Sequence, residues 1–359
     1  MKTIKKIAAL LLVVIMALTV VGCHKKDEIA VTIDGIKFTS AYYMCALVNA
    51  NMEAKNLVAE SLTDEEKQET EIDYFSKKVE DKKFVDWVED KAIETLKEIA
   101  AYKLLCKENK IEPTKDELST IESNASFLWS SYGYSAYFEP NGVSLNTYTA
   151  YTKDAAYSEK YFEFLYGKEG KKAISDEEVN TKISENFQVA NVLDASYEEN
   201  ATDESKKALK TQLENYAKEI QEGKKTFEQV YAEFNGEEDH HHEETEEDGP
   251  KDPHAQILGA EGTNYANTFN YEKVKAMKVG EVKVIDNQSN TGLTLLVKHD
   301  LKADPYYTTT LDMNARHLIA DKDFEKEISD YTKKLKPEIS KYAIGQFKVK
   351  NIEEPTYNY

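Results

Sequence analysis

Two groups of side chains in this 359-residue sequence have the chemistry to bind or react: a histidine cluster and three cysteines. His240-His-His242 and His254 sit among nine carboxylates in residues 237–254. Imidazole and carboxylate ligands suit zinc or nickel. A defined metal site also needs ligands held at fixed angles by a supporting shell. Three consecutive histidines on a Glu- and Asp-rich stretch do not by themselves supply that. The composition reads as a solvated acidic loop, with loose metal binding by His240, His241, His242 and His254 left open. No cofactor is expected. Cys45 and Cys106 fall on the apolar faces of separate predicted helices and read as buried thiols. Their pairing stays open, and without a CxxC a redox role has no support. His299 and His317 show no partner spacing and read as ordinary core or surface residues.

Cys23 is different, because of what precedes it. Lys2, Lys5 and Lys6 form a positive n-region, and Ile7 to Val21 is an apolar h-region. That stretch is short for a membrane span and has the layout of a removable signal peptide. Val20-Val21-Gly22-Cys23 resembles a bacterial lipobox. Residues 1–22 are then a lipoprotein signal peptide, Cys23 is the lipidated N-terminus, and 23–28 is a short tether. Each buried lipid methylene contributes about 0.8 kcal/mol, so several chains hold where one would not. The expected location is the extracytoplasmic face of the cell membrane.

Removing residues 1–22 takes away three lysines and no acid, so a net charge of −20 becomes −23. So acidic a surface argues against nucleic acid. It also argues against lying flat on anionic lipid, leaving the anchor on Cys23 as the membrane contact.

The elements that must position these residues follow from periodicity and turn chemistry. Val31 to Phe38 reads as strand, Asp34-Gly35 turn, strand. Thr39 or Ser40 caps a helix carrying Phe38, Tyr42, Cys45, Val48 and Met52. Residues 60–82 are charged with few apolar anchors. Val85, Val88, Ala92, Leu96 and Ile99 mark a helix to about Lys110. Capping boxes at Thr114–Glu117, Ser175–Glu178 and Thr226–Gln229 start three more. Residues 127–166 hold thirteen aromatics and end in a helix through about Tyr166. From Phe187 the order becomes strand, helices, strand, turn, strand, with strands at 188–193, 282–285 and 293–297. Thr310 to about Lys341 reads as helix and 347–352 as a closing strand. The fold class is α+β.

Residues 187–300 resemble a parvulin-type peptidyl-prolyl isomerase domain. The matching stretches are Gly223-Lys-Lys-Thr-Phe227 and Lys275-Ala-Met-Lys-Val-Gly-Glu-Val282. The N-terminal run resembles the SurA/PrsA foldase family at the Asp34-Gly35 hairpin, the Trp87 helix, Lys110-Ile-Glu-Pro-Thr114 and Gly142-Val-Ser144. The resemblance implies a mostly helical chaperone domain from residues 29–186, completed by a C-terminal helix and strand in 303–359. Between them it places a parvulin-like domain, 187–302, with an acidic His-rich insert at 236–254. It also implies two histidines facing one another from the first and last strands of the isomerase. Those positions fall at Asn191 and Thr294, and a Gly-rich loop is reduced to about Gly259-Ala-Glu-Gly262. Rotation about an X-Pro bond faces a barrier of roughly 18–20 kcal/mol. Asn and Thr hydrogen-bond but do not titrate, so isomerase activity is expected to be weak or lost.

The expected function is that of a membrane-anchored chaperone or foldase for unfolded or partly folded secreted proteins. Trp129, Tyr132, Tyr134, Tyr137 and Phe138 are the candidate client-binding residues. The helical spacing of Tyr157, Tyr161 and Phe164 reads as core packing first; in a chaperone part of the stretch would line a cradle for clients, and exposure decides between the two. A homodimer is left open. The alternative is a solute- or metal-binding lipoprotein of a transporter, which requires two α/β lobes and further ligands.

Overall fold

The computed structural model describes residues 28–63, 65–68, 72–236 and 250–355. Cys23, its signal peptide and His240–His242 lie outside the described residues. The chain divides into two compact units: Leu165–Lys322, and the segments up to Phe164 and from Asp323 onward.

The first unit opens with the hairpin β1 (Ile29–Ile33) and β2 (Ile36–Thr39). Asp34 and Gly35 both have positive φ, 44° and 86°, as a two-residue turn matched to strand twist requires. Thr39 then accepts the Tyr42 amide at 3.3 Å and caps α1 (Ser40–Ser61). Residues 74–76 form a single 3-10 turn. A minimal pair, β3 (Lys78–Val79) and β4 (Lys82–Lys83), precedes α2 (Phe84–Asn109), which packs on α1. Phe84, Trp87, Val88, Ala92, Leu96 and Ile99 form its buried stripe. The helix stops at Lys110, whose left-handed φ of 59° turns the chain. Next come α3 (Lys115–Ser131) and α4 (Leu145–Tyr166), joined through a helical turn at Ser135–Phe138. Phe38, Leu47, Phe84, Leu96 and Phe138 are almost fully buried in one shared core. Each such side chain contributes roughly 1.5–3 kcal/mol.

In the second unit, α5 (Asp176–Asn186) leads directly into β5 (Phe187–Ser196). Then follow α6 (Asp203–Gln221), α7 (Phe227–Asn235), β6 (Ala255–Gly259), α8 (Thr268–Lys275), β7 (Val282–Asp286) and β8 (Gly292–His299). The sheet order is β6-β5-β8-β7, antiparallel throughout. One face packs Leu193, Leu295 and Val297 against Leu213, Phe227 and Val230 of α6 and α7. The other packs Ala190 and Leu296 against Tyr271 and Val274 of α8. Gly259 closes β6 where a Cβ would stand 2.8 Å from the Tyr265 carbonyl oxygen, so the short loop to Tyr265 folds back only on glycine.

α9 (Pro305–Thr332) carries the chain back to the first unit, where β9 (Pro337–Ile339) pairs antiparallel with β1. Two sequence expectations change here, and one strand went unread. The helix ends at Thr332 rather than near Lys341. The closing strand is 337–339, and 347–352 holds a 3-10 turn at Val349–Asn351 instead. β6, with only five residues directly after the insert, carried no periodic signal. The tail is nonetheless fixed. Asn141 exchanges two hydrogen bonds with the Glu353 backbone, at 2.7 and 2.9 Å. Glu354 accepts from Asn51 and Lys55 at 2.8 and 2.6 Å. Segments from both ends of the chain therefore build one core, and the molecule is α+β.

Candidate functional site

β5 and β8 position the residues at the isomerase-like site, and their register decides what meets what. Asn191 stands opposite Val297, and Asp194 opposite Thr294. Asp194 is three positions on from Asn191, an odd step, so the two rows lie on opposite faces of the sheet. Asn191 is on the α6/α7 face and Thr294 on the α8 face. The spacing-based pair is not brought together. Thr294 is 1% exposed and donates its hydroxyl to Asp194, its neighbour on β5. On that face Val192, Ile285 and Leu296 surround the row. No imidazole or thiol stands among these residues.

Asn191 instead belongs to a network that sequence reading missed. It is 1% exposed. Its amide nitrogen donates to Asp252 Oδ2 at 3.0 Å, and its oxygen contacts His299 Nε2. His299 Nε2 is 3.6 Å from Asp252 Oδ2. Burial holds the His299 imidazole below its ordinary pKa, and the Asp252 charge opposes this only in part. The available signal was alternation: once Asn191 pairs with Val297, His299 is the diagonal neighbour on the same face. His254 donates its amide to Asp252 Oδ1 at 2.9 Å, and its ring lies 4.7 Å from that of Tyr231. Among the described residues no group of three or more His, Cys, Asp or Glu side chains is arranged to hold a metal ion.

A cleft of about 370 Å³ lies elsewhere in this unit, lined by Lys168, Asp176, Val179, Asn180, Thr308 and Asp312 among others. Arg316 is fully buried and grips Asp312 with Nε and Nη2 at 2.7 and 3.2 Å. Its Nη1 serves the Tyr166 and Ile174 carbonyls, both at 3.0 Å. This charge is spent on tying α9 to two turns of backbone.

In the first unit the five aromatic candidates separate by exposure. Trp129 and Phe138 are 7% and 1% exposed and stack in the core with Tyr148. Their rings are not available to a client. Tyr134 and Tyr137 are half-buried against the same core. Tyr132 is 66% exposed, and beside it Phe127 is 56% exposed, with ring centroids 5.5 Å apart, edge to face. Phe127 was not among the sequence candidates, although it starts the aromatic run. The helix that presents it, α3, has only Ala125 and Trp129 fully buried. It is tied to α4 by ion pairs from Lys153 to Glu122 and Lys160 to Glu117. Cys45 and Cys106 are free and buried. Cys106 Sγ donates to the Tyr157 carbonyl at 3.4 Å.

The sequence matches no family model and no curated protein. Among solved structures, the chain is similar to the foldase protein PrsA from Lactococcus lactis, with a TM-score of 0.40 and 11% identity. That match covers 89% of this chain and 99% of the other. It is also similar to foldase protein PrsA from Streptococcus pneumoniae, with a TM-score of 0.38 and 12% identity, over 67% and 82% of the two chains. Among the described residues no helix is long and apolar enough to cross a membrane.

Proposed function

We propose that this protein is a lipid-anchored extracytoplasmic folding helper that holds apolar segments of exported chains, without ATP and with little or no prolyl isomerase activity. The observation that carries the reading is the Phe127–Tyr132 pair, two large rings left open at the rim of an aromatic core. Aromatic side chains present roughly 150–250 Å² each. Covering what these two expose, at about 25 cal/mol per Å², is worth on the order of 5 kcal/mol before association costs. That magnitude suits transient holding rather than tight capture. An anchor on Cys23 would raise the local concentration where chains emerge and offset weak binding.

The isomerase side of the reading rests on the sheet register. A site for X-Pro rotation needs polar groups converging on one apolar surface. Asn191 faces away from Thr294, and Thr294 is occupied by Asp194. On a tetrapeptide Pro substrate the expected rate is that of the uncatalysed reaction; a clear acceleration would contradict this part.

The test of the main reading is suppression of aggregation of an unfolded secreted enzyme by the full-length protein, with and without a zinc chelator. Protection that ignores the chelator is expected. No protection sinks the reading, and tight chelator-sensitive metal binding without protection favours a metal-binding lipoprotein.

A further inference from the structure

The chain carries a net −20, but the charge is not evenly spread. Residues 331–350 hold six lysines and one carboxylate, Glu338. Lys333, Lys334, Lys336 and Lys341 flank β9 and are all exposed. Among the described residues only Lys333 of these four is ion-paired, to Asp330 at 2.9 Å. Beside them stand two open apolar side chains, Ile339 at 38% exposure and Tyr342 at 71%. We propose, resting on the Cys23 anchor of the function proposed for this protein, that the β9 edge from Lys333 to Tyr342 docks on anionic lipid headgroups of the membrane that holds the anchor.

The register of β9 carries this segment to the tether. β9 is an edge strand of the sheet β2-β1-β9. Pro337 pairs with Ile33 and Ile339 with Val31, and the Ser340 amide donates to the Ala30 carbonyl at 2.9 Å. Because the pairing is antiparallel, β9 ends where β1 begins. Lys341 and Tyr342 therefore follow beside the start of β1, where Ile29 is 37% exposed. Six residue steps separate Ile29 from Cys23, an extended reach of at most about 20 Å. The tether's own two lysines and two acids, residues 25–28, cancel.

The net charge opposes contact with anionic lipid for the molecule as a whole. The surface potential, however, is felt only within a Debye length, about 8 Å at physiological ionic strength, so the groups nearest the anchor decide. Lysine ammonium groups meet lipid phosphate there while their stems lie along apolar surface. Tyrosine, with an apolar ring and a polar tip, belongs at the membrane–water boundary. Glu338 alternates with Ile339 along β9 and takes the other face of the sheet, opposite Thr32.

The test uses the full-length lipidated protein carrying Tyr342→Trp, on phosphatidylcholine vesicles made with or without phosphatidylglycerol. Trp87 and Trp129 are buried and give a constant background. Emission is expected to shift to the blue on the anionic vesicles only, and the shift to fall several-fold at high salt. Adding Lys334→Gln, Lys336→Gln and Lys341→Gln should abolish it. Co-flotation with neutral vesicles, lost in Cys23→Ala, reads the anchor separately. A protein that floats with both vesicle types but shifts on neither, shifts equally on both, or keeps its shift in the triple variant overturns the docking face and leaves the anchor standing. A shift on anionic vesicles without flotation on neutral ones overturns the anchor and supports the docking face. Flotation with neither overturns both.

Discussion

At the scale of single residues, the one arginine among 45 lysines is the most constrained polar group described. Arg316 serves a carboxylate and two carbonyls at once, a task for a planar fork of donors. Arg316→Ala leaves Asp312 and both carbonyls unserved and is expected to cost about 3–5 kcal/mol in denaturant unfolding. Arg316→Lys should recover less than half of that, because an ammonium is a compact point charge on a flexible stem. The cysteines give a second prediction. Burial pushes the Cys106 thiol up to about 11 and the Cys45 thiol further. Thiolate is the reactive form, so neither should react with a thiol reagent at pH 8 until the protein is unfolded. Sequence made the two buried thiols legible, since both lie on apolar helical stripes. It did not reveal Arg316 as a core residue, because no local pattern announces a buried charge whose partners lie about 140–150 positions away. The same limit hid His299, whose partners Asn191 and Asp252 come from β5 and the segment before β6.

At the scale of elements, helix starts were the most legible feature. The boxes at Thr114–Glu117, Ser175–Glu178 and Thr226–Gln229 all form. Each satisfies orphan amides with side chains three residues apart, so the whole device is local. Ser175→Ala should therefore cost about 1 kcal/mol in thermal or denaturant unfolding. Short strands were illegible for the complementary reason. β9 is three residues including Pro337, and its pairing with β1 is set by the return of the chain rather than by alternation. Register was illegible too. A single-residue error in aligning β5 moves a side chain to the other face, which is why the positions proposed to face one another, Asn191 and Thr294, stand back to back. α3 shows how exposure escapes sequence: Trp129 and Tyr132 are three apart, yet one is core and the other open.

At the scale of the whole molecule, a helical unit completed by β9 and the segment after it accompanies a sheet unit whose sequence carries the acidic insert, and the proposed anchor is Cys23. The α+β class was legible from the change of periodicity at Phe187. Which aromatics stay open was not, because that depends on how α3 and α4 pack. The central claim is that the open pair holds clients, and the most direct measurement is aggregation of an unfolded secreted enzyme in the presence of Phe127→Ser/Tyr132→Ser. Stability should change by less than about 0.5 kcal/mol per site, since both rings are exposed. Protection should fall several-fold, while Phe138→Leu, a core change, leaves it intact in the folded protein. Full protection by the folded double variant would contradict the account.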